Sequence, residues 1–152
     1  MGMFTSINIA ATGLSAERLR SDVISNNIAN ATTTRTQEGG AFKKSSVIFA
    51  PASDAQPQWK TPFVPSSLDS GPGSGVKVLE IVKDTSEGTY VYDPEHPDAI
   101  KSGPHAGYVE YPNVNIVNEM VDLISASRAY EANATVIDGA KDMFSAALDI
   151  AK

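Results

Sequence analysis

Cysteine is absent from this chain of 152 residues, which excludes disulfides, thiol catalysis and thiolate metal sites. Basic residues are outnumbered as well, because 12 Lys and Arg stand against 18 Asp and Glu and leave a formal net charge of −6. That sign is wrong for a protein that works by neutralising phosphates, so we expect no nucleic-acid partner.

Long apolar runs are also missing from the sequence. No stretch reaches the roughly 18 apolar residues that a membrane span needs. No Lys or Arg precedes Arg18, so the N-terminus lacks the basic segment with which secretory signals begin. We therefore expect no cleaved signal peptide.

Proline is absent from both ends of the chain, since all 9 prolines lie between Pro51 and Pro112. Proline breaks helices, so its segregation favours helical ends around a turn-rich middle. The sequence predicts an α+β fold, with long N- and C-terminal helices paired as an antiparallel coiled coil and a small β-rich, loop-rich insertion between them. We expect residues 1–36 and 112–152 to form the helical core domain and residues 37–111 the β-rich middle domain.

The clearest periodic pattern lies at the C-terminal end, where apolar side chains recur at alternating spacings of four and three. This spacing predicts a coiled-coil seam on a helix over 116–151, roughly 50 Å long. Further apolar residues widen the stripe, so we expect the helix to pack against more than one partner. The seam positions are Ile116, Met120, Leu123, Ser127, Tyr130, Ala134, Ile137, Lys141, Phe144, Leu148 and Ala151, and the widening residues are Val117, Val121, Ile124 and Ala147.

The N-terminal segment shows a weaker helical pattern. Its apolar positions are Ile7, Ala11, Leu14, Ile24 and Ile28, with Leu19 and Val23 beside them. Asn and Thr side chains then crowd together from Asn26 to Thr34, where they compete for backbone hydrogen bonds and favour termination. We expect this helix to end near Asn30.

The middle of the chain contains short β-like runs. Residues 76–82, 90–92 and 108–111 read as three strands and residues 45–49 as a fourth. The segment 85–88 suits a hairpin between the first two, and residues 51–75 resemble an extended loop.

Motifs for catalysis are lacking. One group has metal-ligand chemistry, namely Asp93, Glu95, His96 and Asp98. The prolines at 94 and 97 favour a rigid, solvated acidic turn instead. We therefore expect no enzyme activity, catalytic residue, metal, cofactor or small-molecule substrate.

One charged pair stands out in the C-terminal helix. Arg128 and Glu131, beside Tyr130, could pair within the helix at a spacing of three. On so long a seam we expect both to meet another helix, because Arg can hold a carboxylate through two hydrogen bonds.

Two stretches carry a resemblance to a known family. NNIANATTTRTQEGGAFKK (26–44) and YPNVNIVNEMVDLISASRAYEANATVI (111–137) are similar to blocks of the flagellar basal-body rod proteins, and most of all to the C-type subunits of the proximal rod. Members often have Tyr after the double glycine, where this chain has Ala41 and Phe42. The middle matches only at Tyr90, Pro94, His96–Pro97 and 107–109.

The resemblance implies a structural subunit of the bacterial proximal rod. Such a subunit leaves the cytoplasm through the flagellar type III system without a cleaved signal and polymerises in the periplasmic space through its terminal helices. The product is a tubular drive shaft around the export channel. The partners implied are copies of itself, other rod subunits, a basal-body adaptor at the membrane ring and the export apparatus.

We expect two groups of functional residues. Those at subunit interfaces are Leu14, Ile24, Ile28, Met120, Leu123, Ile124, Arg128, Tyr130, Glu131, Ile137, Phe144 and Leu148. Those of the turn after the first helix are Asn26, Asn27, Asn30, Thr33, Gly39 and Gly40. An alternative reading is a coiled-coil binding module of another secreted assembly, which would oligomerise in solution with full helicity at micromolar concentration.

Overall fold

A computed structural model describes residues 3–52 and 73–150 of the chain. In chain order, a long helix comes first, four short strands follow, and a second long helix comes last. This order confirms the predicted α+β fold with helices at both ends. The elements are α1 (Met3–Ala29), β1 (Ser45–Pro51), β2 (Val76–Lys83), β3 (Thr89–Tyr92), β4 (Tyr108–Tyr111) and α2 (Ile116–Ile150). None of the helices in these two ranges is long and apolar enough to span a bilayer.

The two helices pack antiparallel along their length. The end of α1 contacts the start of α2 through Asn27 and Glu119. Near the middle of α1, a Cβ on Gly13 would come within 2.9 Å of the Asn133 amide. At the far end the rings of Phe4 and Phe144 lie 6.4 Å apart. Because α2 has 35 residues and α1 has 27, the last turns of α2 extend past the start of α1.

Asparagines mark the boundaries of both helices. Asn115 caps α2, since its Oδ1 accepts hydrogen bonds from the backbone N–H groups of Val117 and Asn118 at 3.0 and 3.3 Å. At the end of α1, the Asn30 side chain donates to the carbonyl oxygen of Asn26 at 2.9 Å. The predicted end of the first helix near Asn30 is thus confirmed.

The strands form two separate antiparallel ribbons. In the first, β1 pairs with β2 from Ser45 opposite Lys83 to Pro51 opposite Val76, with Leu79 bulged out of the ladder. In the second, β3 pairs with β4 over 89–92 and 108–111. The four predicted strands are confirmed. Of the loop predicted over 51–75, residues 53–72 lie outside the described residues.

The predicted hairpin between β2 and β3 is wrong. The N–H of Asp84 still donates to the carbonyl oxygen of Lys44 at 2.7 Å, so the chain follows β1 to the end of β2. Four residues later, Gly88 lies so close to Tyr111 that a Cβ would collide with its carbonyl oxygen. Residues 85–87 therefore carry the chain from one ribbon to the other, and β2 cannot fold back on β3.

The first ribbon lies along α1. Asn27 contacts Ser45 at one end, and at the other the Thr12 hydroxyl oxygen accepts the N–H of Val76 at 3.1 Å. The buried apolar residues of the described chain are small for the most part: Ala10, Ala16, Ile24, Ala41, Val109, Ala126 and Ala140. The buried core is small, and much of the apolar surface of α2 stays exposed.

Candidate functional site

The residues predicted at subunit interfaces fall on two sides of the helix pair. On α1, Ile24 is buried, and Leu14 and Ile28 are half-buried. On α2, Leu123 and Ile137 are half-buried, and each lies one turn after a residue that contacts α1, namely Glu119 and Asn133, so both fall on the side that packs against α1. The other predicted members of α2 are exposed, and these are Met120, Ile124, Arg128, Tyr130, Glu131, Phe144 and Leu148. The predicted seam is therefore only partly used within the chain.

Exposed apolar side chains concentrate near both ends of α2. The patch near its start consists of Val117, Met120, Val121 and Ile124. The patch near its end consists of Met143, Phe144, Leu148 and Ile150, of which Ile150 is 87% exposed. Adjoining apolar residues exposed in this way are typical of surfaces that bind other proteins.

One row of exposed residues on α2 was not predicted from the sequence. It repeats at spacings of three and four on the side away from α1 and contains no charged residue. Its members are Ala132, Val136, Gly139, Met143, Ala146 and Ile150. The heptad spacing of Val136, Met143 and Ile150 is the signal that would have indicated it.

A buried polar cluster joins α1, β1 and α2. Glu119 and Asn27 are each only 1% exposed. Lys44 lies 2.5 Å from Glu119 Oε1, and Asn27 Nδ2 donates to Glu119 Oε2 at 3.1 Å. The same amide exchanges two hydrogen bonds with the backbone of Ser45, at 2.8 and 3.0 Å. We call Asn27, Lys44, Ser45 and Glu119 the buried junction, in which Asn27 and Glu119 are buried and Lys44 and Ser45 are half-buried.

The buried junction borders a small cavity of about 220 Å³ between the helices and β1. Beside it, Arg20 reaches Asp122 of α2 at 3.5 Å and Glu17 of its own helix at 3.8 Å. Asn27 belongs to the predicted turn motif, whereas no functional role was predicted for Lys44 or Glu119. The available signal was that Glu119, Ala126, Asn133 and Ala140 repeat every seven residues, which indicates a covered row with a carboxylate at its first position.

Of the predicted turn motif, Asn30, Thr33, Gly39 and Gly40 lie in a compact loop after α1, whereas Asn26 and Asn27 lie in the last turn of α1 itself. Asn30 Oδ1 accepts the Thr33 hydroxyl at 3.2 Å, and the N–H of Phe42 donates back to the Thr33 carbonyl oxygen at 3.1 Å. Gly39 and Gly40 have φ angles of 91° and 78°, a region that favours glycine. Asn26 is exposed, whereas Asn27 points into the buried junction.

The acidic residues of the turn after β3 are engaged in local contacts. Asp98 accepts the Thr34 hydroxyl at 2.8 Å, and its N–H donates to His96 Nδ1 at 3.1 Å. Asp93 accepts the N–H of Glu95 at 3.3 Å. No group of three metal-ligating side chains is found within 3–52 and 73–150.

A shallow groove runs between the helices beside the predicted charged pair. Arg18, Ser21 and Asp22 of α1 line one wall, and Tyr130 and Glu131 of α2 line the other. Arg128 is exposed and forms no ion pair with any residue that the structure describes. These charged groups are thus available to a neighbouring chain.

Comparison with known proteins gives one consistent family. A model described as flagella basal body rod protein matches residues 7–36, and one described as the C-terminal part of flagellar basal body rod FlgEFG protein matches residues 105–150. Both matches fall on the segments that contain the helices.

Three relatives are named flagellar basal-body rod protein FlgC. The one from Borreliella burgdorferi is 60% identical over 150 residues, which cover 99% of this chain and 98% of the relative. The one from Bacillus subtilis is 38% identical over 156 residues, covering both chains completely. The one from Salmonella typhimurium is 32% identical over 146 residues, covering 94% of this chain and 93% of the relative.

Proposed function

Since this chain belongs to the flagellar basal-body rod protein family, as a structural rod subunit of the FlgC type, we propose that the outward faces of its terminal helices hold it in the rod. Assembly with other rod components follows from the family. The observation that supports the proposal is the pair of exposed apolar patches at the two ends of α2.

The two patches differ in composition and lie at opposite ends of one helix, so a contact that joins unlike patches would be heterologous. Contacts of that kind repeat from subunit to subunit and build rings or helical filaments. We take this as the way in which the chain polymerises into a tubular drive shaft around the export channel of the proximal rod. Copies of this chain and other rod subunits are its neighbours there.

The subunit passes through the flagellar type III system without a cleaved signal and assembles in the periplasmic space, next to an adaptor at the membrane ring. Residues 1–36 and 112–152 form the polymerising domain, and residues 37–111 form a β-rich domain beside it. The role is mechanical, and the chain has no catalytic task.

The test changes the polarity of one exposed position in each patch. Met120→Asp and Leu148→Asp should prevent incorporation into rods and abolish swimming, because a charge on a covered apolar surface lacks a partner. The matched controls Met120→Leu and Leu148→Met keep the surface apolar and should be incorporated. Circular dichroism of each purified variant checks that the fold is kept. Normal rods in both Asp variants would refute the proposed surfaces.

A further inference from the structure

Alanine is the commonest of the fully buried apolar residues where the two helices meet. The buried apolar residues are Ala10 and Ala16 on α1 and Ala126 and Ala140 on α2, and Ile24 is the one large side chain among those described. A shift of seven residues would place Ala140 or Ala126 where Asn133 now faces Gly13. Either shift would replace the Asn133 amide beside Gly13 with a smaller methyl group, which the same space accepts, so the packing of these buried side chains distinguishes poorly between the native register and a shifted one.

The buried junction distinguishes one register of the two helices from another, whereas the buried alanines do not. Glu119 has its partners at one register alone, since Lys44 pairs with one carboxylate oxygen and Asn27 donates to the other. A shift of one heptad would withdraw Glu119 from both. The carboxylate would then be buried without a partner, or would have to be exposed by separating the helices.

We infer that the buried junction of Asn27, Lys44, Ser45 and Glu119, rather than the apolar seam, sets the register in which α1 and α2 pair. Asn27 and Lys44 act as positioning residues for α2, because they flank the loop that leads from α1 into β1. A single polar residue in a helical seam is known to specify register at some cost in stability. This inference concerns the chain itself and does not depend on the proposed contacts between subunits.

The absence of cysteine makes a direct measurement of register simple. In the purified full-length chain, the pair Gly13→Cys with Asn133→Cys reports the native register. Gly13→Cys with Ala126→Cys and Gly13→Cys with Ala140→Cys report shifts of one heptad in the two directions. Disulfide formation in a glutathione redox buffer is then quantified by mobility on a non-reducing gel.

The decisive variant replaces the charged pair with apolar residues, as Lys44→Met with Glu119→Leu. Such a replacement often leaves stability unchanged. We expect nearly the same thermal midpoint but comparable yields of native and shifted disulfides, whereas the parental background should form only the native one. Retention of the native disulfide alone would overturn the inference.

A stability control separates register from simple weakening. Ile24→Ala removes the largest buried apolar side chain of the helix pair and leaves the buried junction in place, so it should lower the thermal midpoint without producing shifted disulfides. Shifted disulfides in Ile24→Ala equal to those in the double variant would also overturn the inference. If the double variant fails to fold, Glu119→Gln serves instead, and the same rise in shifted disulfides is required of it.

Discussion

Asn27 donates a hydrogen bond to Glu119 across 92 positions of sequence, at 3.1 Å and out of contact with water. Asn27 lies in the first of the two stretches that carry the family resemblance and Glu119 in the second. The two stretches therefore meet in one buried contact. With Lys44 and Ser45 added, this contact couples the helix pair to the first ribbon, so that the ends of the chain and its middle fold together.

Removal of the Asn27 amide should destabilise the fold markedly. Asn27→Ala leaves the N–H of Ser45 and the Glu119 carboxylate without this partner inside the protein. Unsatisfied buried groups cost about 1–3 kcal/mol each, so we expect a loss of at least about 2 kcal/mol in the free energy of unfolding. Urea denaturation measures this loss. Asn26→Ala alters an exposed neighbour and should cost much less, and equal losses would contradict the prediction.

Charge on the covered side of α2 should abolish rod assembly. Leu123 and Ile137 are half-buried on the side that packs against α1. An Asp at either position places a carboxylate among apolar groups, which costs at least about 1–3 kcal/mol. We expect Leu123→Asp and Ile137→Asp to be lost from purified basal bodies and to be non-motile. The control Ala132→Asp lies on the exposed side and should keep the helicity of the purified chain, and swimming by either seam variant would refute the prediction.

The elements of the fold were predictable because their signals are local. Proline segregation, heptad spacing and the asparagines after α1 determine where the helices begin and end. Strand pairing was not predictable in the same way. The segment 85–88 has the composition of a hairpin turn, but which strands it joins depends on the contacts of Asp84 and Gly88 with residues distant in sequence.

In the candidate site too, residues with a local signal were predictable and residues that depend on distant contacts were not. The heptad spacing alone predicts Met120 and Leu148 as interface positions on α2. It does not predict the burial of Glu119, because a carboxylate near a helix start is ordinarily placed towards solvent and the helix dipole. Lys44, brought in by the loop before β1, and the Asn27 amide supply the partners that compensate the burial of that charge.

Gly88 should tolerate no side chain. A Cβ there would collide with the carbonyl oxygen of Tyr111, within the ladder of the second ribbon. Overpacking of this kind costs about 1–3 kcal/mol, so Gly88→Ala should lower the thermal midpoint and speed amide exchange in β3 and β4. Gly73→Ala is the matched control, since a Cβ at that position meets no atom of residues 3–52 and 73–150 within 4 Å. Equal thermal midpoints for the two variants would count against the described path of the chain.

Glu38 should titrate below the usual range for glutamate. Its carboxylate accepts hydrogen bonds from Lys83 Nζ at 2.7 and 2.8 Å, and these together with the charge of Lys83 lower the pKa of Glu38. The pair therefore contributes stability above the ordinary pKa of glutamate and loses it as pH falls through the lowered value. Titration by NMR should show a higher pKa of Glu38 in Lys83→Gln and an unchanged pKa of Glu38 in Lys77→Gln. An unchanged pKa in Lys83→Gln would contradict the ion pair.

The end of α2 should be the least stable part of the purified monomer. Residues 141–150 are all exposed, and beyond Phe144 they extend past the described start of α1. Isolated helical turns are marginal in water, so apolar residues such as Leu148 and Ile150 have nothing to stabilise them until a neighbouring subunit covers them. We expect fast amide exchange there, slow exchange around Ile24 and Ala126, and a gain of helicity by circular dichroism when a neighbouring rod subunit is added. Strong protection of residues 145–150 in the monomer would show that this end is already stable, and that assembly does not fold it.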